Sequence, residues 1–145
     1  MFKHILLPID GSDLSLGAAR LGIDLAKTCG ARVHTLHVVP SFQAFVYMSE
    51  ALVGSQAAYT EQAISLAVEY LAKVQRLAED AGVQYSGSYV VAERPHEIIM
   101  QTTREQHCDL VVMASHGRRG LSRWLLGSET QKVLLQGDVP VLVCR

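Results

Sequence analysis

A chain of 145 residues is long enough to bury a hydrophobic core and short enough to form a single domain, here residues 1–145. Hydrophobic residues make up 49% of the chain and charged residues 19%, a composition that excludes an intrinsically disordered protein. The 13 basic and 14 acidic residues nearly balance, which argues against a nucleic-acid partner.

The cellular compartment is indicated by the cysteines and by the N-terminus. Cys29, Cys108 and Cys144 are odd in number and far apart, with no C-x-x-C pair, so neither a disulfide framework nor a zinc site fits. Met1–Ile5 leads directly into a strand and has no signal-peptide layout. No apolar run approaches the roughly 20 residues of a transmembrane helix. We therefore expect a cytoplasmic protein with no membrane partner.

The first part of the chain alternates strand and helix. His4–Asp10 is almost continuously apolar, which predicts a strand covered on both faces. Ser12 or Asp13 can cap the helix that follows, and Gly30 is a plausible residue for its end. Arg32–Val39 predicts the second strand.

The segment Ser41–Ala58 has no clean hydrophobic period, although it contains aromatic residues such as Phe42 and Phe45. A loop of this length is uncommon inside a compact domain. Two interpretations stay open: an irregular flap whose aromatic side chains pack on the domain, or a lid or partner surface.

The second part of the chain continues the alternation. The predicted elements are a long amphipathic helix from about Tyr59 to Gly82, a strand at Gln84–Val91, a helix from Pro95 to about Gln106, a strand at Asp109–Met113, a short helix from Ser128 and a strand at Val139–Cys144. Strands that alternate with helices predict a parallel sheet with right-handed crossovers. The fold class is therefore α/β: a three-layer α/β/α sandwich with five parallel strands, Rossmann-like, for which we expect the order 3-2-1-4-5.

The stretch Met113–Thr130 carries the main functional signal. It reads as the end of a buried strand, a long loop with glycines, and the N-terminus of a helix. This arrangement presents backbone N–H groups and the positive end of a helix dipole to a phosphate. Ser128 also fits a helix N-cap, with Gln131 completing a capping box. The sequence thus predicts a nucleotide phosphate loop.

The remainder of a nucleotide site is expected where strand order reverses in the sheet. Ligands of such sheets bind beyond the carboxyl ends of the strands at that point. If the first and fourth strands are neighbours, Asp10 faces the glycine-bearing loop and offers an oxygen to a divalent cation or to its water shell. The alternative interpretation of Asp10 is a turn-former before Gly11.

Catalytic motifs are missing from the sequence. It contains no G-x-x-x-x-G-K-[ST], no G-x-G-x-x-G after the first strand and no G-x-S-x-G, so we assign no catalytic residue. His34 and His37 should lie on opposite faces of a strand, which argues against a shared metal. His96 and His107 are expected on helix surfaces. Among the histidines we assign a functional role only to His116, inside the loop.

These motifs together resemble the universal stress protein family. The resemblance rests on Ile5–Ser12, His37–Pro40, Asp109–Gly117, Gly127-Ser128 and Val139–Val143, in that order along the whole chain. The family's nucleotide-binding signature is glycine, two residues, glycine, nine residues, glycine, then serine or threonine.

The resemblance implies binding of ATP with Mg²⁺ as a sensor or switch in the stress response, and a homodimer through Val139–Cys144. Any hydrolysis should be slow, because no general base or phosphate lysine is evident. The implied site comprises Pro8, Ile9 and Asp10 for the base and ribose, the backbone of Val38 for the adenine, Met113, Ala114, His116 and Gly117 for the near wall, and Gly127, Ser128, Glu129 and Thr130 for the phosphates.

Two residues depart from the family pattern. Ala114 replaces the first signature glycine, which is harmless if its φ is negative and there is room for a methyl group. Glu129 would repel a triphosphate unless it points away or helps to hold the cation. With the aromatic segment Phe42–Leu52, they favour an alternative: a dimeric interaction or chaperone-like stress protein that binds no nucleotide.

Overall fold

The computed structural model describes residues 1–49, 55–117 and 125–145. The elements in chain order are β1 (His4–Ile9), α1 (Asp13–Cys29), β2 (Arg32–Val39), α2 (Phe42–Ser49), α3 (Gln56–Ala81), β3 (Tyr85–Val91), α4 (Pro95–Glu105), β4 (Leu110–Ala114), α5 (Ser128–Gln136) and β5 (Val141–Cys144). The five strands are parallel and follow the order β3-β2-β1-β4-β5, so the predicted fold class and strand order are confirmed.

Strand β1 lies at the centre of the sheet, and all six of its residues are buried. Helices α1 and α3 cover one face, where a core forms around Leu7, Ile23 and Val74. Helices α4 and α5 lie on the other face, around Leu6, Ile99 and Val133. The continuous apolar character of β1 follows from this double cover.

The helix termini are set by short polar residues and by glycine. The Ser12 hydroxyl accepts a hydrogen bond from the Ser15 amide (3.2 Å), which caps α1, and Ser55 caps α3 in the same way. Gly30 and Gly82 end these helices in the left-handed conformation, with φ of 66° and 72°. In the part of the chain that the structure describes, no helix is long and apolar enough to cross a membrane.

The segment Ser41–Ala58 contains more regular structure than its sequence predicts. Residues 42–49 form α2, which begins after Ser41, whose hydroxyl accepts a hydrogen bond from the Ala44 amide (3.1 Å). The Phe42 and Phe45 rings pack on Tyr59, with centroids 5.6 and 4.5 Å away. The irregular flap was therefore wrong for residues 42–49, whereas the packing of aromatic residues on the domain is confirmed for Phe42 and Phe45 and not for Tyr47, which is exposed. Residues 50–54 lie outside the described residues.

Candidate functional site

The first and fourth strands are neighbours in the sheet, so their carboxyl ends share one edge. The His4 carbonyl accepts a hydrogen bond from the Asp109 amide (2.9 Å), so alternate residues of β1, including Pro8, direct their backbone toward β4. Pro8 has no N–H to continue this ladder. The β1–β4 pairing ends at Leu6–Val111, whereas the β1–β2 pairing continues to Ile9–His37. Proline in the central strand therefore leaves the ends of β1 and β4 unpaired with each other.

The loop after β1 meets the loop after β4 where Asp10 lies against Gly117. One oxygen of Asp10 accepts a hydrogen bond from the Ser12 amide (2.9 Å), the pattern of a turn-former. Its other oxygen lies where Gly117 has no side chain: a Cβ on Gly117 would be 2.7 Å from it. A residue larger than glycine at position 117 would therefore displace the Asp10 carboxylate.

Helix α5 is fastened to the end of β4 at its first turn. The Gly127 amide donates to the Ser115 carbonyl (2.7 Å), and the Thr130 hydroxyl donates to the Ala114 carbonyl (3.0 Å). A Cβ on Gly127 would lie 3.0 Å from the His116 Cα, so this approach depends on glycine. Residues 118–124, the middle of the predicted loop, lie outside the described residues.

The N-terminus of α5 has no side-chain cap. Its N-cap is Gly127 and Ser128 is the first helical residue, so the predicted capping box was wrong. Gln131 instead donates from its side-chain amide to the Leu126 carbonyl (2.8 Å). Within residues 1–49, 55–117 and 125–145, no side chain accepts a hydrogen bond from the first-turn amides of α5. Amides in the first turn of a helix have no partner inside the helix itself.

Ala114 fits its position without backbone strain. It ends β4, and among the described non-glycine residues only His107 has a positive φ. Beside it, Met113 packs in the core on the α4–α5 side, and the Ser115 hydroxyl contacts His116 Nδ1 (3.1 Å). The signature glycine that Ala114 replaces is thus not required for backbone conformation here.

The backbone of Val38 lies at the same edge. Val39 accepts a hydrogen bond from the Ala92 amide (3.0 Å) on the β3 side, so the alternation of the ladder turns Val38 toward β1. Val38 comes one residue after the last β1–β2 pair, Ile9–His37. The edge therefore combines the backbone at the end of β2, a carboxylate and a helix terminus without a side-chain cap.

The sequence model of the universal stress protein family matches residues 1–145. The chain belongs to this family. It is 34% identical to the universal stress protein MJ0531 of Methanocaldococcus jannaschii over 145 residues, covering 100% of this chain and 83% of that protein. It is 32% identical to a Thermus aquaticus universal stress protein over 148 residues, covering 100% of both.

Solved structures share the fold of this universal stress protein. The hypothetical protein MJ0577 of M. jannaschii superposes with a TM-score of 0.79 at 26% identity, covering 99% of this chain and 96% of that one. A universal stress protein of Archaeoglobus fulgidus in complex with dAMP gives 0.71 at 17% identity, covering 100% and 98%. One in complex with cAMP gives 0.69 at 22% identity, covering 98% and 95%.

Glu129 of this universal stress protein is turned toward α4. One carboxylate oxygen accepts hydrogen bonds from the His96 amide and from His96 Nδ1, both 2.8 Å, and the other accepts one from Lys132 (3.1 Å). Burial alone would raise the pKa of Glu129, but the bonds from His96 and Lys132 lower it overall. The carboxylate is therefore charged and already paired at neutral pH.

His96 is a residue whose position the sequence did not reveal. It was expected on a helix surface but is 8% exposed. Helix α4 has no side-chain cap of its own, and Glu129 supplies an acceptor for its first-turn amide instead. The signal available in the sequence was indirect: Arg94-Pro95 offers no capping side chain at the start of α4.

His34 and His37 lie on the two faces of β2, as predicted. His37 Nδ1 donates to the Ile9 carbonyl (2.9 Å), and its ring packs edge-on against Tyr70. His34 contacts the hydroxyls of Ser86 and Ser88 at 2.8 and 2.9 Å on the other face. Within the described ranges, no group of three or more His, Cys, Asp or Glu could hold a metal.

A cavity of about 490 Å³ lies elsewhere, between α4, α5 and the β4–β5 edge. Its lining includes Met100, Cys108, Val133 and Val141, and it contains none of the predicted site residues. Burial raises the pKa of Cys108 to about 12, so its thiol is protonated at neutral pH. The cavity therefore touches the middle and end of α5, and its lining includes neither Asp10 nor the first turn of that helix.

Proposed function

We propose that this universal stress protein binds an adenine nucleotide, ATP with Mg²⁺, at the carboxyl ends of β1 and β4, and acts as a sensor or switch with little or no catalysis. The observation that carries the proposal is the first turn of α5, which has no side-chain cap and is hydrogen-bonded to Ala114 and Ser115. These residues stand just before Gly117, which lies against the Asp10 carboxylate.

The phosphates would bind mainly to backbone groups. The amides of Ser128, Glu129 and Thr130 point out of the first turn of a helix, where the dipole also favours negative charge. The exposed Ser128 hydroxyl can donate as well, whereas the Thr130 hydroxyl is already bonded to Ala114. Thr130 would therefore contribute its amide rather than its hydroxyl, with Gly127 providing close access.

The base and ribose would lie over the end of β1. Pro8 and Ile9 end that strand and Asp10 follows it, and the Val38 backbone lies beside them with groups that can bind a base edge. The near wall would be Met113, Ala114, His116 and Gly117. Two fold neighbours are described as complexes with cAMP and dAMP, which supports an adenine nucleotide as the ligand class.

The cation would depend on the nucleotide for most of its ligands. Asp10 provides one carboxylate at the site, and the described residues contain no cluster that could hold a metal by itself. This suits Mg²⁺, which keeps several waters and binds through one or two carboxylates together with phosphates. With no phosphate lysine or general base assigned, hydrolysis would be slow at most.

The partner of the chain would be a second copy. Strand β5 is the edge of the sheet, and Leu142 on it is 38% exposed. An unpaired edge of this kind favours pairing with another strand. We expect a homodimer through Val139–Cys144 in the cytoplasm, which light scattering coupled to size exclusion would measure as twice the chain mass.

The alternative, an interaction or chaperone-like protein without nucleotide, has lost two of the features that favoured it. Ala114 is unstrained, and Glu129 is paired with His96 and Lys132. What favours it still is helix α2, where Tyr47 is 88% exposed.

The experiment that tests the proposal identifies the bound molecule. The purified protein is denatured, and the released small molecules are separated by chromatography; a thermal shift with ATP and Mg²⁺ is measured in parallel. We expect an adenine nucleotide in the released fraction and a stabilisation of about 2.7 kcal/mol at a hundredfold excess over Kd. Absence of nucleotide together with no shift at millimolar ATP would overturn the proposal.

A further inference from the structure

The contact between α4 and α5 places a carboxylate and its partner beside the proposed phosphate site. Glu129 is the second residue of α5, inside the first turn, whose amides no side chain of the described residues caps. A carboxylate there that rotated toward these amides would compete with a phosphate for the same donors. Where this side chain points therefore matters for anion binding.

His96 holds the carboxylate on the α4 side by two bonds. Its amide and its Nδ1 both donate to the same Glu129 oxygen at 2.8 Å. The pair is well shielded, since the His96 side chain is 10% exposed and the Glu129 side chain 34%. Lys132, which donates to the other oxygen, is 44% exposed and contributes less as a surface charge.

We infer that His96 is a positioning residue for phosphate recognition: it keeps the Glu129 carboxylate away from the α5 amides and so sets how strongly the site favours a highly charged phosphate chain. The inference rests on the proposed nucleotide function. It assigns a role to a residue that lies 33 positions before Glu129 and outside the glycine signature.

The inference makes affinity depend on ligand charge. Without the imidazole, one of the two bonds is lost and the carboxylate can turn toward the phosphates. His96→Leu should lower the affinity for ATP by about threefold to tenfold, which is the effect that one charge at a helix terminus can have. The affinity for AMP should decrease less, and the affinity for adenosine should stay within about twofold of the wild-type value. His96→Asn keeps a side-chain N–H near the position of Nδ1 and should behave like the wild type.

The test is calorimetric titration of ATP, AMP and adenosine into the wild type and the variants. Glu129→Gln keeps an acceptor for the α4 amide but removes the negative charge. It should therefore raise the affinity for ATP relative to the affinity for adenosine. Combined with His96→Leu, it should restore ATP affinity to the level of Glu129→Gln alone. Glu97→Gln is the matched control, because it removes an exposed carboxylate from the first turn of α4 and should change nothing.

The outcomes separate the inference from the proposed function. Equal weakening of all three ligands in His96→Leu, without restoration by Glu129→Gln, would indicate only a packing role and overturn the inference alone. If His96→Leu does not fold, the same titrations are made with His96→Ala, where equal weakening of the binding of all three ligands has the same consequence. A wild type that binds none of the three ligands overturns the proposed function and the inference with it.

Discussion

Replacing Gly127 by alanine tests the contact that brings α5 to the end of β4. The φ and ψ of Gly127, −60° and 149°, are ordinary for alanine, so backbone strain plays no part. The added Cβ would lie 3.0 Å from His116 Cα and 3.3 Å from the Ser115 carbonyl oxygen. Both neighbours are backbone atoms, so the first turn of α5 must move outward.

The magnitude follows from overpacking and from one hydrogen bond. Crowding of this kind costs about 1–3 kcal/mol, and lengthening the 2.7 Å bond between the Gly127 amide and Ser115 contributes up to about 1 kcal/mol within that range. Gly17→Ala is the matched control, because no atom lies within 4 Å of a Cβ there. Both changes restrict the unfolded chain equally. Because Gly127 is an N-cap and Gly17 lies inside α1, the difference between the variants reports the lost close approach together with the weaker N-cap preference of alanine.

The assay is urea unfolding of both variants, followed by titration with ATP. Gly127→Ala should be about 1–3 kcal/mol less stable than Gly17→Ala and should bind ATP at least about tenfold more weakly, since the amides have moved. Gly17→Ala should bind like the wild type. Equal stability of the two variants and unchanged ATP affinity would refute the argument that glycine is needed here for close approach.

Three further predictions concern the neighbouring strands. Gly117→Ala should weaken ATP binding, and a double-mutant cycle with Asp10→Ala should show coupling of about 0.5–3 kcal/mol in unfolding; additivity would contradict the contact between the two loops. Burial lowers the pKa of both His4 and His34, so the native state binds fewer protons than the unfolded state near pH 6. The free energy of unfolding should therefore be highest above about pH 6.5 and decrease as the pH drops below that value. A urea midpoint that does not change between pH 7.5 and 5.5 would argue against this. Pro8→Val supplies an N–H that faces β4, so it should slow amide exchange at the end of β4 and lower the affinity for ATP. Unchanged exchange rates and unchanged affinity would count against the role of proline in separating the strand ends.

The fold could be predicted because its determinants are local. The strands other than β3 are mostly apolar runs, each long helix has an apolar stripe, and glycine ends α1 and α3 at Gly30 and Gly82. The adjacency of Pro8-Asp10 and the glycine-bearing loop then followed from the alternation of strands and helices. The strand order follows once β2 and β3 are placed on one side of β1 and β4 and β5 on the other, as in doubly wound sheets.

The errors arose where long-range contacts decide the structure. Glu129 and His96 are 33 residues apart, and nothing periodic in the sequence indicates that one caps the helix of the other. Gln131 fits a capping box, yet it pairs with Leu126 because Gly127, rather than Ser128, occupies the N-cap. Helix α2 was missed because its apolar residues meet Tyr59 of α3 rather than forming a stripe of their own.

The most direct measurement is an amide NMR titration of the protein with ATP and Mg²⁺. If the nucleotide binds as proposed, the largest shift changes fall on Ser128, Glu129 and Thr130 and on Val38, with Gly117 between them. Shifts confined to the cavity lined by Met100 and Val133, or no shifts at millimolar ATP, would contradict a nucleotide site at the carboxyl ends of β1 and β4.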